Sequence, residues 1–146
     1  MIRINRKTDY AVRVILALAK AGERTLLSTS QIQQEMIIPK AQSLRVVAEL
    51  AKGNFINTFP GRDGGMKLAR PAAKINLRQV VTHFEKDIDV SVCVHRDGVC
   101  PFEENCPIER RWSRLRAIIL SELEKTTFDV LAQESIVKVN VLPLVE

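Results

Sequence analysis

Cys93, Cys100 and Cys106 are the three cysteines of a 146-residue chain, and they fall within the fifteen residues Cys93 to Pro107. Six residues separate the first pair and five the second. Thiolates are soft ligands, and Gly98, Pro101 and Pro107 keep the segment out of regular structure, so three sulfurs can turn toward one centre. The donor set suits an iron–sulfur cluster, a zinc ion completed by His95 or an acid, or a metal-free thiol switch. Zinc is disfavoured by the lack of a short CxxC knuckle. A cluster held wholly by protein needs a fourth ligand, and no fourth cysteine exists; Glu109 and His95 are nearby in the chain. Pairing Cys93 with His83 or His95 for nucleophilic catalysis lacks an orienting third group and an oxyanion element, so the chain does not read as an enzyme.

Composition narrows the setting. The N-terminal 73 residues hold 12 Lys and Arg against five Asp and Glu, a surplus of +7, while the rest holds ten against 12, or −2. A basic half followed by a mildly acidic half points to a polyanionic partner for the first. Arg3, Arg6, Lys7 and Asp9 interrupt any secretory pattern, and the longest apolar run, Val14 to Ala19, is too short to span a bilayer. A cytoplasmic protein without a membrane partner is expected. In a reducing compartment, an odd number of clustered cysteines reads as ligands or redox thiols before disulfides.

Periodicity supplies the elements that must position these groups. Residues 8–20 read as a helix capped by Thr8 or Asp9, with Tyr10, Ala11, Val14, Ile15 and Leu18 on one face. Ser28 and Gln31 form a capping-box pattern for a short second helix. Pro39 opens a third over 40–52, whose inward stripe reads as Leu44, Val47, Ala48 and Ala51, with Gln42, Arg45, Glu49 and Lys52 opposite. Gly53-Asn54 ends it. A strand over 55–59, a turn over 60–65 and a strand over 66–69 make a hairpin. The Gly-rich turn lacks the Gly-Lys-Ser/Thr and following helix of a nucleotide loop. Three short helices followed by a hairpin is the order of a winged helix-turn-helix, whose third helix enters the major groove. The expected fold is therefore mainly α with a small β hairpin, extended by a long C-terminal helix.

Asn76 caps a helix over 77–84, in which His83 reads as a packing or surface residue. Pro107 starts the longest helix, 108 to about 124, with Trp112, Leu115, Ile119 and Leu123 in one apolar stripe. Such a stripe outside a small domain buries itself against a second copy, or docks on its own domain. Thr127 to Val130 begins a further short helix, and the β-branched tail, 135–145, looks extended. The expected organisation is a DNA-binding winged helix over 1–86, a cysteine loop over 87–107, a dimerisation region over 108–133 and a tail over 134–146.

The chain resembles the Rrf-two family of bacterial winged-helix regulators, the group of IscR, NsrR, RirA and CymR. The resemblance rests on Thr8-Asp9-Tyr10-Ala11-Val12-Arg13, on the helix-turn-helix, on the wing Gly61-Arg62-Asp63-Gly64-Gly65-Met66-Lys67-Leu68-Ala69-Arg70-Pro71, and on three cysteines before a long helix. It implies a homodimer on a palindromic operator, acting as a repressor, with an iron–sulfur cluster, [4Fe-4S] before [2Fe-2S], on Cys93, Cys100 and Cys106 reporting redox, nitric oxide or iron status. NsrR-like members take a fourth ligand from an aspartate in the first helix of the partner subunit, a position filled here by Asp9. Other members, CymR among them, use no cluster. The family's wing arginine is replaced by Pro60, with Arg62 two residues on; its recognition Glu-Gln by Leu44-Arg45; and the histidine ligand of IscR by Glu109. Lys40, Gln42, Ser43 and Arg45 are the candidates for groove contacts, Arg62 for the wing, and Arg6 and Lys7 for phosphates. The competing class is a thiol- or zinc-based protein-interaction module; steep salt dependence and protection of a two-fold symmetric DNA site favour the regulator.

Overall fold

The computed structural model describes residues 3–86, 88–94, 100–102 and 105–135. The fold is built on helix α1 (Arg6–Ala21), whose Tyr10, Ala11, Val14, Ile15, Ala17 and Leu18 are buried. It starts earlier than the sequence pattern predicts. Asn5 is the N-cap and accepts the Thr8 amide, so neither Thr8 nor Asp9 caps. Thr8 is instead fully buried, its hydroxyl donating to Glu85 Oε1 at 2.6 Å. The Asn5 amide donates to the same oxygen at 2.9 Å, so one carboxylate satisfies two donors from the helix start.

Helix α2 (Thr29–Met36) carries the expected capping box, with Ser28 and Gln31 each accepting from the other's backbone amide. Helix α3 (Lys40–Lys52) follows after a three-residue turn. Its inward face differs from the expected stripe. Ser43, Val46 and Leu50 are buried, Val47 and Ala51 are half-buried against the core, and Leu44 and Ala48 face outward. Strands β1 (Ile56–Phe59) and β2 (Gly65–Leu68) pair antiparallel, Ile56 opposite Leu68 and Phe59 opposite Gly65. A bridge between Leu27 and Met66 ties this hairpin to the chain entering α2. A Cβ on Gly65 would stand 2.8 Å from the Leu27 carbonyl oxygen, so that close approach needs glycine.

Helix α4 (Leu77–Phe84) has a second capping box, between Asn76 and Gln79. His83 packs edge-on against Phe55 and Phe84 and sets Nε2 3.3 Å from Glu49, joining α4 to the end of α3. A Cβ on Gly53 would lie 2.8 Å from the His83 ring; glycine keeps that joint closed. Helix α5 (Pro107–Lys125) runs 19 residues with none buried, and α6 (Phe128–Glu134) returns to the core. Phe128 is fully buried, its amide donating to the Ile75 carbonyl at 3.0 Å, and a bridge joins Asn76 to Thr127. Phe128, with Leu131 packed beside it, thus joins the core formed by residues of the 1–86 region. The expected tail beyond Ser135 lies outside the described residues.

Ile37 caps α2 in the left-handed conformation (φ 54°, ψ 54°) while its side chain is 81% exposed. A β-branched residue is strained there by roughly 1–2 kcal/mol and gains no burial in return. Ile37→Asn is expected to raise stability by about 1 kcal/mol. Urea denaturation would show this as a higher midpoint at unchanged slope.

Candidate functional site

Two surfaces carry the residues with chemical potential. The first is the outward face of α3 with the hairpin tip. Lys40, Gln42 and Arg45 are exposed along α3, and Arg62 is exposed at the tip between β1 and β2. An open cleft of about 330 Å³ separates this tip from α2 and is lined by Ser28, Thr29, Val47, Thr58 and Arg62, among others. Ser43 does not join this face. Ser43 is fully buried; its hydroxyl donates to the Lys40 carbonyl at 2.8 Å and accepts from the half-buried Gln33 Nε2 at 2.6 Å, a link between α2 and α3. The expected groove contact is therefore a strut that sets the angle at which α3 is presented.

Arg6 and Lys7 are exposed in the first turn of α1. The Lys7 ammonium lies 5.4 Å from the centre of the Phe84 ring, above the end of α4. That position is beside the start of the cysteine segment.

The second surface is that segment and the helices at its ends. Cys93 sits in a single 3₁₀ turn, Val92–Val94, with its sulfur 3.0 Å from the Ser91 hydroxyl. Cys106 is the N-cap residue of α5 but makes no side-chain cap bond, and Pro107 follows at the first helical position. Cys93, Cys100 and Cys106 are all free thiols of intermediate burial. Among the described residues, no three His, Cys, Asp or Glu side chains converge as a ready metal site. His95 lies outside the described residues. Glu109 is engaged by its own helix, accepting from the Ser113 hydroxyl at 2.5 Å.

Asp9 lies in the first turn of α1, and its side chain is 46% accessible. Its carboxylate pairs with Arg13 at 2.8 Å, and Arg13 also donates to the Met36 carbonyl, the last residue of α2, at 3.2 Å. The segment's own anchors are Glu85, which holds the start of α1, and Arg116 of α5, which donates to the Ile88 carbonyl at 3.1 Å and stands 3.8 Å from Asp89. Glu85 and Arg116 belong to no motif, and Arg13 only closes the Thr8–Arg13 run; the contacts described here depend on partners 77, 28 and 23 residues away.

Comparison with known proteins bears on both surfaces. Residues 4–134 match the Rrf2 family, described as an iron-dependent transcriptional regulator. The chain belongs to the Rrf2 family. It is 26% identical over 127 residues to the HTH-type transcriptional regulator NsrR of Bacillus licheniformis, covering 86% of this chain and 89% of that one. Its fold matches that of CymR, the global cysteine regulator of B. subtilis, with a TM-score of 0.77 at 23% identity over 92% of this chain and 98% of that one. T. potens IscR matches with a TM-score of 0.72 at 19% identity, over 94% and 91%. This Rrf2 protein is a DNA-binding transcriptional regulator of winged-helix fold and not an enzyme. Among the described residues, no helix is long and apolar enough to cross a membrane.

Ser43→Ala leaves the half-buried Gln33 amide without its acceptor and is expected to cost about 1 kcal/mol of stability. DNA affinity should fall by a similar factor on every sequence. Loss of preference at one base pair with unchanged stability would restore Ser43 to the groove.

Proposed function

We propose that this protein is a homodimeric repressor that binds a palindromic operator and senses redox, nitric oxide or iron status through an iron–sulfur cluster. The carrying observation is the set of three free, half-buried thiols between two anchored helix ends. Their donor chemistry fits the group: three sulfur ligands are present, none is consumed by a disulfide, and Cys106 has no capping duty. Cys93, Cys100 and Cys106 would hold it, with the partner subunit's Asp9 as the fourth ligand; [4Fe-4S] is favoured over [2Fe-2S]. A bound cluster supplies a centre reactive toward oxidants and nitric oxide.

Asp9 is suited to a second role because its present partner, Arg13, is an exposed ion pair worth well under 1 kcal/mol. An oxygen ligand binds iron less tightly than a fourth thiolate, which suits a labile sensing site. A change in the cysteine segment would reach α1 through Glu85 and α5 through Arg116. Movement of either helix alters the distance between the two recognition helices of a dimer.

The dimer reading draws on α5. At roughly 100° per residue, Glu109, Ser113, Arg116 and Leu120 turn toward the protein's own body. All four are half-buried, whereas Ile108, Trp112, Leu115 and Ile118 are exposed. Of the expected stripe, Ile119 and Leu123 are half-buried and Trp112 and Leu115 are not. A second copy of α5 is the natural cover for this apolar face, and Trp112→Ala together with Leu115→Ala is expected to shift the oligomer toward monomer by analytical ultracentrifugation.

The deciding experiment is anaerobic purification followed by the visible spectrum and iron and sulfide counts. A brown protein with acid-labile sulfide is expected, and its bands distinguish the two cluster types. Asp9→Ala should then lower iron retention without removing DNA binding. A colourless protein carrying zinc or no metal would convert the same cysteines into a structural site or thiol switch. On the DNA side, Arg45→Ala is expected to cost about 1–3 kcal/mol and relax preference at one base pair. Lys7→Ala should weaken all sequences alike and lower the salt slope by roughly one.

A further inference from the structure

Leu44 is a large apolar side chain held 55% exposed in the first half of α3. At roughly 100° per residue, the buried positions Ser43, Val46 and Leu50 define one side of the helix. Ala41, Leu44, Arg45, Ala48 and Lys52 then fall on the other, and all five are exposed. Two of these are alanines, so the backbone can come close to whatever the face meets, while Leu44 and Arg45 stand out from it. The flanking charges, Lys40, Arg45 and Lys52, match a polyanion. The N-terminal half of a recognition helix is the part that contacts base edges.

In the major groove, the apolar group that a base edge offers is the C5 methyl of thymine. We infer that Leu44 reads a thymine methyl in each half-site, next to the base read by Arg45, and so is a specificity-determining residue. This rests on the DNA-binding reading and adds to it the chemistry of one operator position. A leucine left in water gains nothing from its exposure. Against a methyl group both surfaces are dehydrated, and one buried methyl corresponds to about a fourfold gain in affinity.

The test uses full-length protein and a duplex selected by it from a random pool. Each thymine is replaced in turn by deoxyuridine, which removes the methyl and keeps every hydrogen-bonding group. The wild type should lose about fourfold affinity at one thymine per half-site. Leu44→Ala should bind the unmodified duplex more weakly and be indifferent to that substitution, with an unchanged circular dichroism spectrum and melting temperature because the side chain is exposed. Arg45→Ala should keep the sensitivity to deoxyuridine. The inference is overturned if the wild type tolerates deoxyuridine everywhere, or if Leu44→Ala remains as sensitive as the wild type. Failure to select any duplex would overturn the operator-binding reading and this inference together.

Discussion

Helices α2, α3, α4 and α6 and strand β2 all pack against α1, whose buried face holds them together. Tyr10, Ala11, Val14, Ile15 and Leu18 form the centre of one continuous core with Ile32 from α2, Val46 and Leu50 from α3, Val80 from α4 and Phe128 from α6. Ala11 and Ala17 are fully buried, and their small side chains let neighbouring helices approach the axis closely. A close-packed core transmits displacement instead of absorbing it. A shift at either end of α1 is therefore felt by α3, which packs against it.

The polar contacts around that core act as struts at defined joints. Ser43 and Gln33 fix α3 against α2, and Arg13 holds the end of α2 while pairing with Asp9. Glu85 gathers the Asn5 amide and the Thr8 hydroxyl at the point where α4 gives way to the cysteine segment. Thr8 is fully buried, and its hydroxyl has two acceptors, Glu85 Oε1 at 2.6 Å and Asn5 Oδ1 at 3.2 Å, of which Glu85 is the closer. Asp9, the next residue, thereby sits on a turn whose position is set from the segment that carries the thiols.

The two exposed features of the molecule differ in kind. The outward face of α3 is short, basic and built on small residues, a surface shaped for a charged groove. The outward side of α5 is long and carries an apolar strip, Ile108, Trp112, Leu115 and Ile118, beside exposed Arg110, Arg111 and Arg114. Only its half-buried side rests on α4 and the cysteine segment, where Arg78 pairs with Glu124 at 2.6 Å and Arg116 reaches Ile88. One face asks for a polyanion and the other for an apolar surface.

How far the chain could be read in advance depended on whether the signal was local. The cysteine cluster, the capping boxes at Ser28 and Asn76, the hairpin with its glycines and the proline start of α5 all act within a few residues, and each is visible without tertiary contacts. The face of α3 was not. Nearly half of its residues are alanine, valine or serine, which fit either side of a helix, so periodicity placed Leu44 inward while Ser43 was expected in the groove. The tertiary structure reversed both, because Ser43 is buried with a partner in Gln33 of α2 while Leu44 is left exposed. The Asn5 cap of α1 is itself a local bond to the Thr8 amide, whereas the return of Phe128 to the core, its amide bonded to the Ile75 carbonyl, is long-range. Residue types and spacing alone determined which groups are available for chemistry; long-range burial and pairing decided which way each of them faces.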